Sequence, residues 1–124
     1  MIKYKGDDFK VVEGDSVAGG VIKKITDKTK GIVTVHYAGH PSNMEALNKI
    51  AKDHDLFLLE DAAHSMGASY NSQKVGNLGD AACFSFQALK NLTTGEGGML
   101  LFKSKKKFEL AKAWHDHGHE NNPK

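Results

Sequence analysis

This chain of 124 residues contains no arginine, and all 17 of its basic residues are lysines. Arginine is the usual clamp for planar carboxylates and phosphates, because its guanidinium donates two parallel hydrogen bonds. A ligand held in that way would need a clamp from outside this chain. The formal net charge is only +2, which argues against nucleic acid as a partner.

Cysteine and long apolar runs are also scarce. Cys83 is the single cysteine, so an internal disulfide is excluded and a reducing compartment is favoured. No stretch approaches the roughly 18 consecutive apolar residues of a membrane span. Residues 1–6 lack the apolar core of a secretory signal. We therefore expect a cytoplasmic protein with no membrane partner.

The apolar pattern that is present predicts an α/β fold. Residues 31–37 are rich in β-branched and aromatic side chains, which is typical of a strand. Ser42, followed three positions later by Glu45, predicts a capping box for a helix that ends near His54. The unbroken apolar run 56–59 predicts a strand covered on both faces. Strand, helix and strand then form one right-handed βαβ unit with parallel strands.

The other predicted elements follow from shorter patterns. The first 30 residues are weakly patterned, and we expect only a short helix near 19–26. Glycine, serine and asparagine over 68–80 indicate a small hairpin or loop. Apolar runs predict strands at 82–86 and 99–102. A helix is predicted at 105–117, with Phe108, Ala111 and Trp114 on one face. In the helix after Ser42, the apolar residues at helical spacing are Met44, Leu47, Ile50 and Ala51.

One lysine occupies an unusual position. Lys90 stands between an apolar strand and the glycine-rich turn 95–98. A lysine amine can form an imine with an aldehyde cofactor, although an ordinary loop cation is the alternative reading. The turn lacks the Gly-Lys-Ser/Thr ending of a phosphate-binding P-loop. We therefore interpret its glycines as a matter of backbone geometry.

Three further side chains suit the same chemistry. Asp61 follows the second strand, at the edge where parallel sheets place their ligand groups, and a carboxylate there can keep a pyridine nitrogen protonated. The Ser85 hydroxyl could donate to a phosphate, and the His64 imidazole could stack on a ring. A turn aspartate, a strand serine and a satisfied histidine are the alternatives. Together with Lys90 they predict a pyridoxal-phosphate site.

The histidines of the tail form the one candidate metal site. His115, His117 and His119 alternate, and imidazoles suit Zn or Ni. No fourth ligand is spaced to complete the set. A small metal-binding protein therefore remains an alternative function.

Several segments resemble the DegT/StrS-type nucleotide-sugar aminotransferases, which are fold-type I pyridoxal-phosphate enzymes. The similarity covers roughly residues 22–120, and its segments occur in the order and spacing of that family. The matching segments are 60–64, 76–86 and 90–98, together with 36–41 and the pair His117-Gly118.

The resemblance implies a role for each candidate residue. Lys90 would carry the imine and move the proton in transamination, Asp61 would pair with the pyridine nitrogen, His64 would lie against the ring and Ser85 would bind the phosphate. Some relatives with histidine at the lysine position are dehydratases, so Lys90 favours amino transfer. The substrates implied are a nucleotide-linked keto sugar and an amino-acid donor, glutamate, in amino-sugar or surface-polysaccharide biosynthesis.

The resemblance also implies an architecture. Residues 22–124 would be part of a three-layer α/β/α major domain with a mostly parallel sheet, after a weakly structured lead-in over 1–21. Family members are several times longer, so we expect the upstream phosphate loop and the C-terminal small domain to be absent and the chain alone to be inactive. Uncovered sheet edges and apolar faces then predict a homo-oligomer, a dimer.

Two alternatives to this function stay open. One is another fold-type I pyridoxal-phosphate enzyme, such as a desulfurase; the spacing of Ser85 and Lys90 and the turn 95–98 count against it. The other is a non-catalytic remnant that keeps the half-fold, which the missing phosphate loop favours. Affinity for the cofactor separates the enzyme from the remnant.

Overall fold

A four-stranded sheet flanked by two helices makes up the described part of the chain. This computed structural model describes residues 24–115, and residues 1–23 and 116–124 lie outside that range. The elements in chain order are β1 (Gly31–Val35), α1 (Met44–Asp53), β2 (Phe57–Asp61), β3 (Ser69–Tyr70), β4 (Gln73–Lys74), β5 (Ala81–Ser85), β6 (Gly98–Phe102) and α2 (Lys105–His115).

The predicted βαβ unit is present as β1, α1 and β2. The two strands are parallel, with Gly31 opposite Phe57 and Val35 opposite Asp61. They approach closely at their start, where a Cβ on Gly31 would lie 2.8 Å from the carbonyl oxygen of Phe57. Parallel neighbours need a crossover of this kind, because a short turn cannot return the chain to the same end of the sheet.

The cap of α1 differs from the prediction. Asn43 is the capping residue, and its Oδ1 accepts a hydrogen bond from the Ala46 amide at 3.1 Å. The Ser42 hydroxyl instead accepts from Thr34 Oγ1 at 2.8 Å and donates to the Val35 carbonyl at 3.1 Å. The predicted Ser42 cap is therefore wrong, because contacts with β1 use that hydroxyl.

The sheet is mostly parallel, as expected. Its strand order is β1-β2-β5-β6. β2 and β5 are parallel and β5 and β6 are antiparallel, so β6 alone reverses direction. β3 and β4 form a separate antiparallel hairpin within the loop predicted at 68–80. The expectation of a partial α/β fold with a mostly parallel sheet is confirmed.

The buried core lies between α1 and one face of the sheet. Ile32 and Leu58, which are register partners in β1 and β2, are both nearly fully buried. Burying a side chain of this size stabilises the fold by about 1.5–3 kcal/mol. The helix ends at Asp53 with His54 as its C-cap, as predicted. Its buried residues are those of the predicted stripe, Met44, Leu47, Ile50 and Ala51.

The second helix lies against the opposite face of the sheet. The Lys107 ammonium sits 4.1 Å from the centre of the Phe57 ring. A groove of about 370 Å³ separates α2 from β5 and β6. Trp114, predicted on the same helix face as Phe108 and Ala111, is 67% exposed and is not among the residues that line this groove. The residues of α2 that line the groove are Phe108, Ala111, Lys112 and His115.

Three predictions reach partly or wholly beyond the described range. The helix expected near 19–26 does not extend into its described part, because residues 24–30 form turns without a helix. Residues 19–23 of that prediction, and the lead-in expected over 1–21, lie outside the described residues. So do residues 116–117 of the second predicted helix.

Both helices are short. α1 has 10 residues and α2 has 11. Within residues 24–115, no helix combines the length and apolar character needed to cross a membrane.

Candidate functional site

Two of the predicted site residues close neighbouring parallel strands. Asp61 is the last residue of β2 and Ser85 the last residue of β5. The register pairs Asp61 with Cys83, two residues before Ser85. Because parallel strands end at the same edge of a sheet, the carboxylate and the hydroxyl share the carboxyl edge. Both residues are half-buried.

Asp61 is held by a turn at the end of its strand. Its Oδ1 accepts from the Ala63 amide at 3.1 Å, and its carbonyl oxygen accepts from the His36 amide at 3.0 Å. The next amide, that of Ala62, donates to the Cys83 carbonyl at 2.9 Å. Among residues 24–115, no group donates a hydrogen bond to Oδ2 of Asp61. One carboxylate oxygen is thus used by the turn, and the other can serve a ligand.

His64 lies at the same edge, in the turns that follow Asp61. Its exposed ring meets the Tyr37 ring edge to face, with 6.1 Å between the ring centres. The backbones also approach, since a Cβ on Gly39 would lie 3.2 Å from the His64 carbonyl oxygen. Gly39 has a φ of +84°, a conformation that favours glycine. The segments after β1 and β2 therefore pack together beside Asp61.

Lys90 lies on a loop that is closed at its base. The Phe86 amide donates to the Gly97 carbonyl at 2.8 Å, and the Thr94 amide donates to the Phe86 carbonyl at 2.9 Å. Gly97 has a φ of +154°, and a Cβ there would lie 2.7 Å from Thr94 Oγ1. The interpretation of these glycines as backbone geometry is confirmed. Lys90 itself is half-buried, whereas the adjacent Leu89 is 90% exposed.

The loop that carries Lys90 is tied to the segment that carries His64. Asn91 Nδ2 donates to the Met66 carbonyl at 3.1 Å. This hydrogen bond joins the residue after Lys90 to the second residue after His64. The four predicted residues thus lie on segments that meet at one edge of the sheet, although they are spread over 30 positions of the sequence.

A buried polar pair beneath this edge was missed by the sequence analysis. His36 and Glu60 are both completely buried, and His36 Nε2 lies 3.0 Å from Glu60 Oε2. The Glu60 carboxylate also accepts from three backbone amides, those of Gly76 at 2.9 Å, Leu78 at 2.8 Å and Gly79 at 2.6 Å. The two carboxylate oxygens together accept four hydrogen bonds. A buried charge requires such partners.

These donors decide the ionisation of Glu60. Burial alone would raise its pKa, but the hydrogen bonds from His36 and from the amides of Gly79, Gly76 and Leu78 outweigh burial and lower the pKa. His36 accepts from the Ser42 amide through Nδ1 at 3.1 Å. The proton of the neutral imidazole is therefore on Nε2, facing Glu60.

The sequence held one signal for this pair. Side chains alternate along a strand, so Glu60 shares a face with Leu58, two positions before it. In a strand covered on both faces, that position is buried, and a buried carboxylate needs partners. His36 carried no such signal, because it lies 24 positions away from Glu60.

Cys83 lies next to the site but is a poor nucleophile. Its half-buried thiol contacts the Glu60 carbonyl oxygen, with an S···O distance of 3.6 Å. Burial and, second, the charge of the Asp61 carboxylate raise the pKa of this thiol. Since the thiolate is the reactive form, Lys90 remains the candidate nucleophile.

The candidate metal site, on which the alternative function depends, is not assembled within the described residues. His115 is exposed at the end of α2, and His117 and His119 lie outside the described range. Across residues 24–115, no group of three or more histidine, cysteine, aspartate or glutamate side chains could hold a metal ion.

The donor set fits pyridoxal phosphate. A primary amine, a carboxylate with one oxygen free of the turn, a hydroxyl and an imidazole lie on segments that meet at one edge. These groups suit an aldehyde, a pyridine nitrogen, a phosphate and an aromatic ring, in that order.

Comparison with known proteins gives a consistent result. The sequence profile of the DegT/DnrJ/EryC1/StrS aminotransferase family matches residues 17–124. An uncharacterized protein of Methanocaldococcus jannaschii is 51% identical over 94 residues, which are 76% of this chain and 24% of that protein. GDP-perosamine synthase of Escherichia coli O157:H7 is 41% identical over 109 residues, 84% of this chain and 30% of that enzyme. The chain thus spans only about a quarter of the length of these relatives.

Solved structures agree with the fold. Helicobacter pylori PseC, an aminotransferase involved in the biosynthesis of pseudoaminic acid, has a TM-score of 0.81 and 36% identity, covering 86% of this chain and 29% of that one. E. coli GDP-4-keto-6-deoxy-D-mannose-3-dehydratase, solved with bound hydrated pyridoxal phosphate, has a TM-score of 0.77 and 33% identity, covering 87% of this chain and 28% of that one.

Proposed function

The chain belongs to the DegT/DnrJ/EryC1/StrS aminotransferase family, and on that premise we propose that it provides the cofactor site of a pyridoxal-phosphate enzyme that aminates a nucleotide-linked keto sugar. Glutamate is the proposed amino donor, and amino-sugar or surface-polysaccharide biosynthesis the proposed setting. The names of the relatives support this, since two of them are a GDP-perosamine synthase and an aminotransferase of pseudoaminic acid biosynthesis. We assign residues 22–124 to the cofactor-binding major domain.

One observation supports the cofactor site most strongly. The loop that carries Lys90 is hydrogen-bonded, through Asn91 and Met66, to the segment that follows Asp61. A lysine from the loop after β5 and a carboxylate from the end of β2 are thereby held on segments that meet at the edge where Ser85 lies. An ordinary loop cation would not require this connection.

The site residues take distinct roles in the proposed reaction. Pyridoxal phosphate, when bound, supplies an electron sink for the negative charge that develops beside the amine nitrogen. Lys90 Nζ would hold the cofactor and would move the substrate proton as a general base and acid. Asp61 Oδ2 would hold the proton on the ring nitrogen. Ser85 Oγ would donate to the phosphate, and His64 would orient the ring.

The identity of the nucleophile supports amino transfer over dehydration. A dehydratase is among the similar solved structures, and the family resemblance implies histidine at the lysine position in dehydratases. Position 90 of this chain is lysine. We therefore place this chain with the aminotransferases.

Trapping of the cofactor tests the proposal. The chain is incubated with one equivalent of pyridoxal phosphate and reduced with borohydride, and the modified lysine is located by peptide mass spectrometry. We expect the label on Lys90, its loss in Lys90→Arg and its retention in Lys74→Arg, whose side chain lies on the surface of β4. Label spread over surface lysines, or no label, would contradict the proposed site.

Assembly and location extend the proposal. Apolar side chains of β6 and α2 are exposed, including Leu100 at 57% and Trp114 at 67%, and such surfaces commonly mark interfaces. We therefore propose a homo-oligomer, a dimer, and sedimentation showing a monomer would contradict it. The cytoplasmic location expected from the sequence stays a prediction.

A further inference from the structure

Two consecutive carboxylates at the end of β2 have opposite environments. Glu60 is completely buried, whereas Asp61 is half-buried at the carboxyl edge. Successive side chains of a strand point to opposite faces of the sheet. A rotation of this strand end that displaced one carboxylate would displace the other.

His36 contacts both of these residues. Its backbone amide donates to the Asp61 carbonyl at 3.0 Å, and its side chain donates through Nε2 to Glu60 Oε2, also at 3.0 Å. The other ring nitrogen, Nδ1, accepts from the Ser42 amide at 3.1 Å. One residue therefore connects β1, the start of the helical crossover and the last two residues of β2.

Glu60 adds a third connection. Its two oxygens accept from the amides of Gly76, Leu78 and Gly79, in the loop between the hairpin and β5. Gly79 is packed so closely that a Cβ would lie 2.7 Å from the Leu58 carbonyl oxygen. The carboxylate thus fixes the end of β2 against a loop that cannot move away without losing hydrogen bonds to a buried charge, which is costly.

We propose that His36 and Glu60 are positioning residues for Asp61. They fix the rotation of the end of β2 so that Asp61 Oδ2 points to the pyridine nitrogen of the cofactor. The inference rests on the proposed function, because it assigns Asp61 to that nitrogen. Neither His36 nor Glu60 touches the cofactor in this arrangement, since both side chains are completely buried.

A pair of ligands separates positioning from general stability. One ligand is pyridoxal phosphate, and the other is its analogue in which carbon replaces the ring nitrogen. The Asp61 carboxylate can pair with the ring nitrogen of pyridoxal phosphate, and the analogue has no such nitrogen. The ratio of the two dissociation constants, measured by fluorescence titration, therefore reports how well Asp61 is placed, whereas a general loss of structure weakens both ligands together.

Two matched variants are compared with the unaltered chain. Glu60→Gln keeps the shape of the side chain. Its NH₂ group, however, would face N–H donors that bind a carboxylate oxygen in the unaltered chain. Asp80→Asn alters the same loop at another contact, where Asp80 Oδ2 accepts from the Leu58 amide at 2.8 Å. We expect Glu60→Gln to lower the preference for pyridoxal phosphate on the order of tenfold, as loss of an outer orienting partner does, and Asp80→Asn to leave it within about twofold.

Each outcome decides the inference. An equal loss of affinity for both ligands in Glu60→Gln, or an unchanged ratio, would overturn it and leave the proposed function intact. An unaltered chain that binds pyridoxal phosphate on Lys90 without preferring it over the analogue would also overturn it. No label on Lys90 of the unaltered chain would remove the proposed site and this inference with it. If Glu60→Gln does not fold, His36→Phe, which keeps a ring but donates nothing to Glu60, is measured for the same ratio, and a ratio unchanged there overturns the inference.

Discussion

The two faces of the sheet differ in how completely they are covered. On the face packed by α1, Leu58 and the polar pair His36–Glu60 are nearly or completely buried. On the side of β6 and α2, large apolar side chains remain accessible, with Leu100 57% and Leu110 57% exposed. The buried polar pair and the exposed apolar side chains of β6 and α2 thus occupy different parts of one small fold.

This difference separates the part that fixes the site from the part that is open to a partner. Asp61 ends β2 directly after Glu60, and the segments around this strand end are hydrogen-bonded to Glu60 or His36. β6 begins where the Lys90 loop ends, at Gly97 and Gly98. We therefore expect substitutions on the first side to lower stability and cofactor binding together, and those on the second side to alter association.

The largest effect is expected from truncating the buried carboxylate. Glu60→Ala leaves His36 and three backbone amides without their acceptor, and each buried donor left unsatisfied costs about 1–3 kcal/mol. Urea denaturation measures the loss in the free energy of unfolding. The matched control is Glu109→Ala on the exposed surface of α2, expected to change it by less than about 0.5 kcal/mol. Similar losses for both variants would remove the contrast between the faces.

A pair of leucines tests the same contrast without charge. Leu58 is 1% exposed and Leu100 57% exposed. Leu58→Ala removes buried methyl groups and leaves a cavity, which costs about 2–5 kcal/mol, whereas Leu100→Ala is expected to cost less than about 0.5 kcal/mol in a monomer. Thermal unfolding at several protein concentrations measures both. A large loss for Leu100→Ala that grows with concentration would indicate that β6 is covered by a second copy.

The smallest effect is the pH dependence that Glu60 contributes. Its pKa in the folded chain lies below the ordinary value of 4.5, so the unfolded state takes up the proton first as the pH falls. The stabilisation is complete above the ordinary value and is lost as the pH falls through the folded pKa, with a slope of at most about 1.4 kcal/mol per pH unit. Unfolding measured from neutral to acid pH should show a shallower decline for Glu60→Gln. An identical decline would contradict this account of the pair.

The sequence was sufficient for the elements whose signals are local. The apolar run at Leu58 and the stripe that includes Met44 and Leu47 predicted a strand and a helix, and both are buried as expected. Asp61 could be placed at the carboxyl edge because a parallel strand, once recognised, has a known direction. The position of Lys90 beside the Asp61 segment followed only from the family resemblance.

The features that the sequence did not predict depend on contacts between distant positions. Ser42 has the right type and spacing for a cap, but its hydroxyl is taken by β1, and nothing local distinguishes it from Asn43. The His36–Glu60 pair required knowledge of which strands are neighbours. Spacing alone placed Trp114 on one helix face with Phe108 and Ala111, yet those two line the groove beside the sheet while Trp114 is 67% exposed.

The loop between Phe86 and Gly97 also bears on how the chain can evolve. Backbone hydrogen bonds close it at its base, and residues 91–96 within it are all exposed. Exposed positions tolerate most replacements at little thermodynamic cost. Position 90 is half-buried but lies in this loop and in neither flanking strand. The chemistry at that position can therefore vary independently of the strand pairing that forms the sheet.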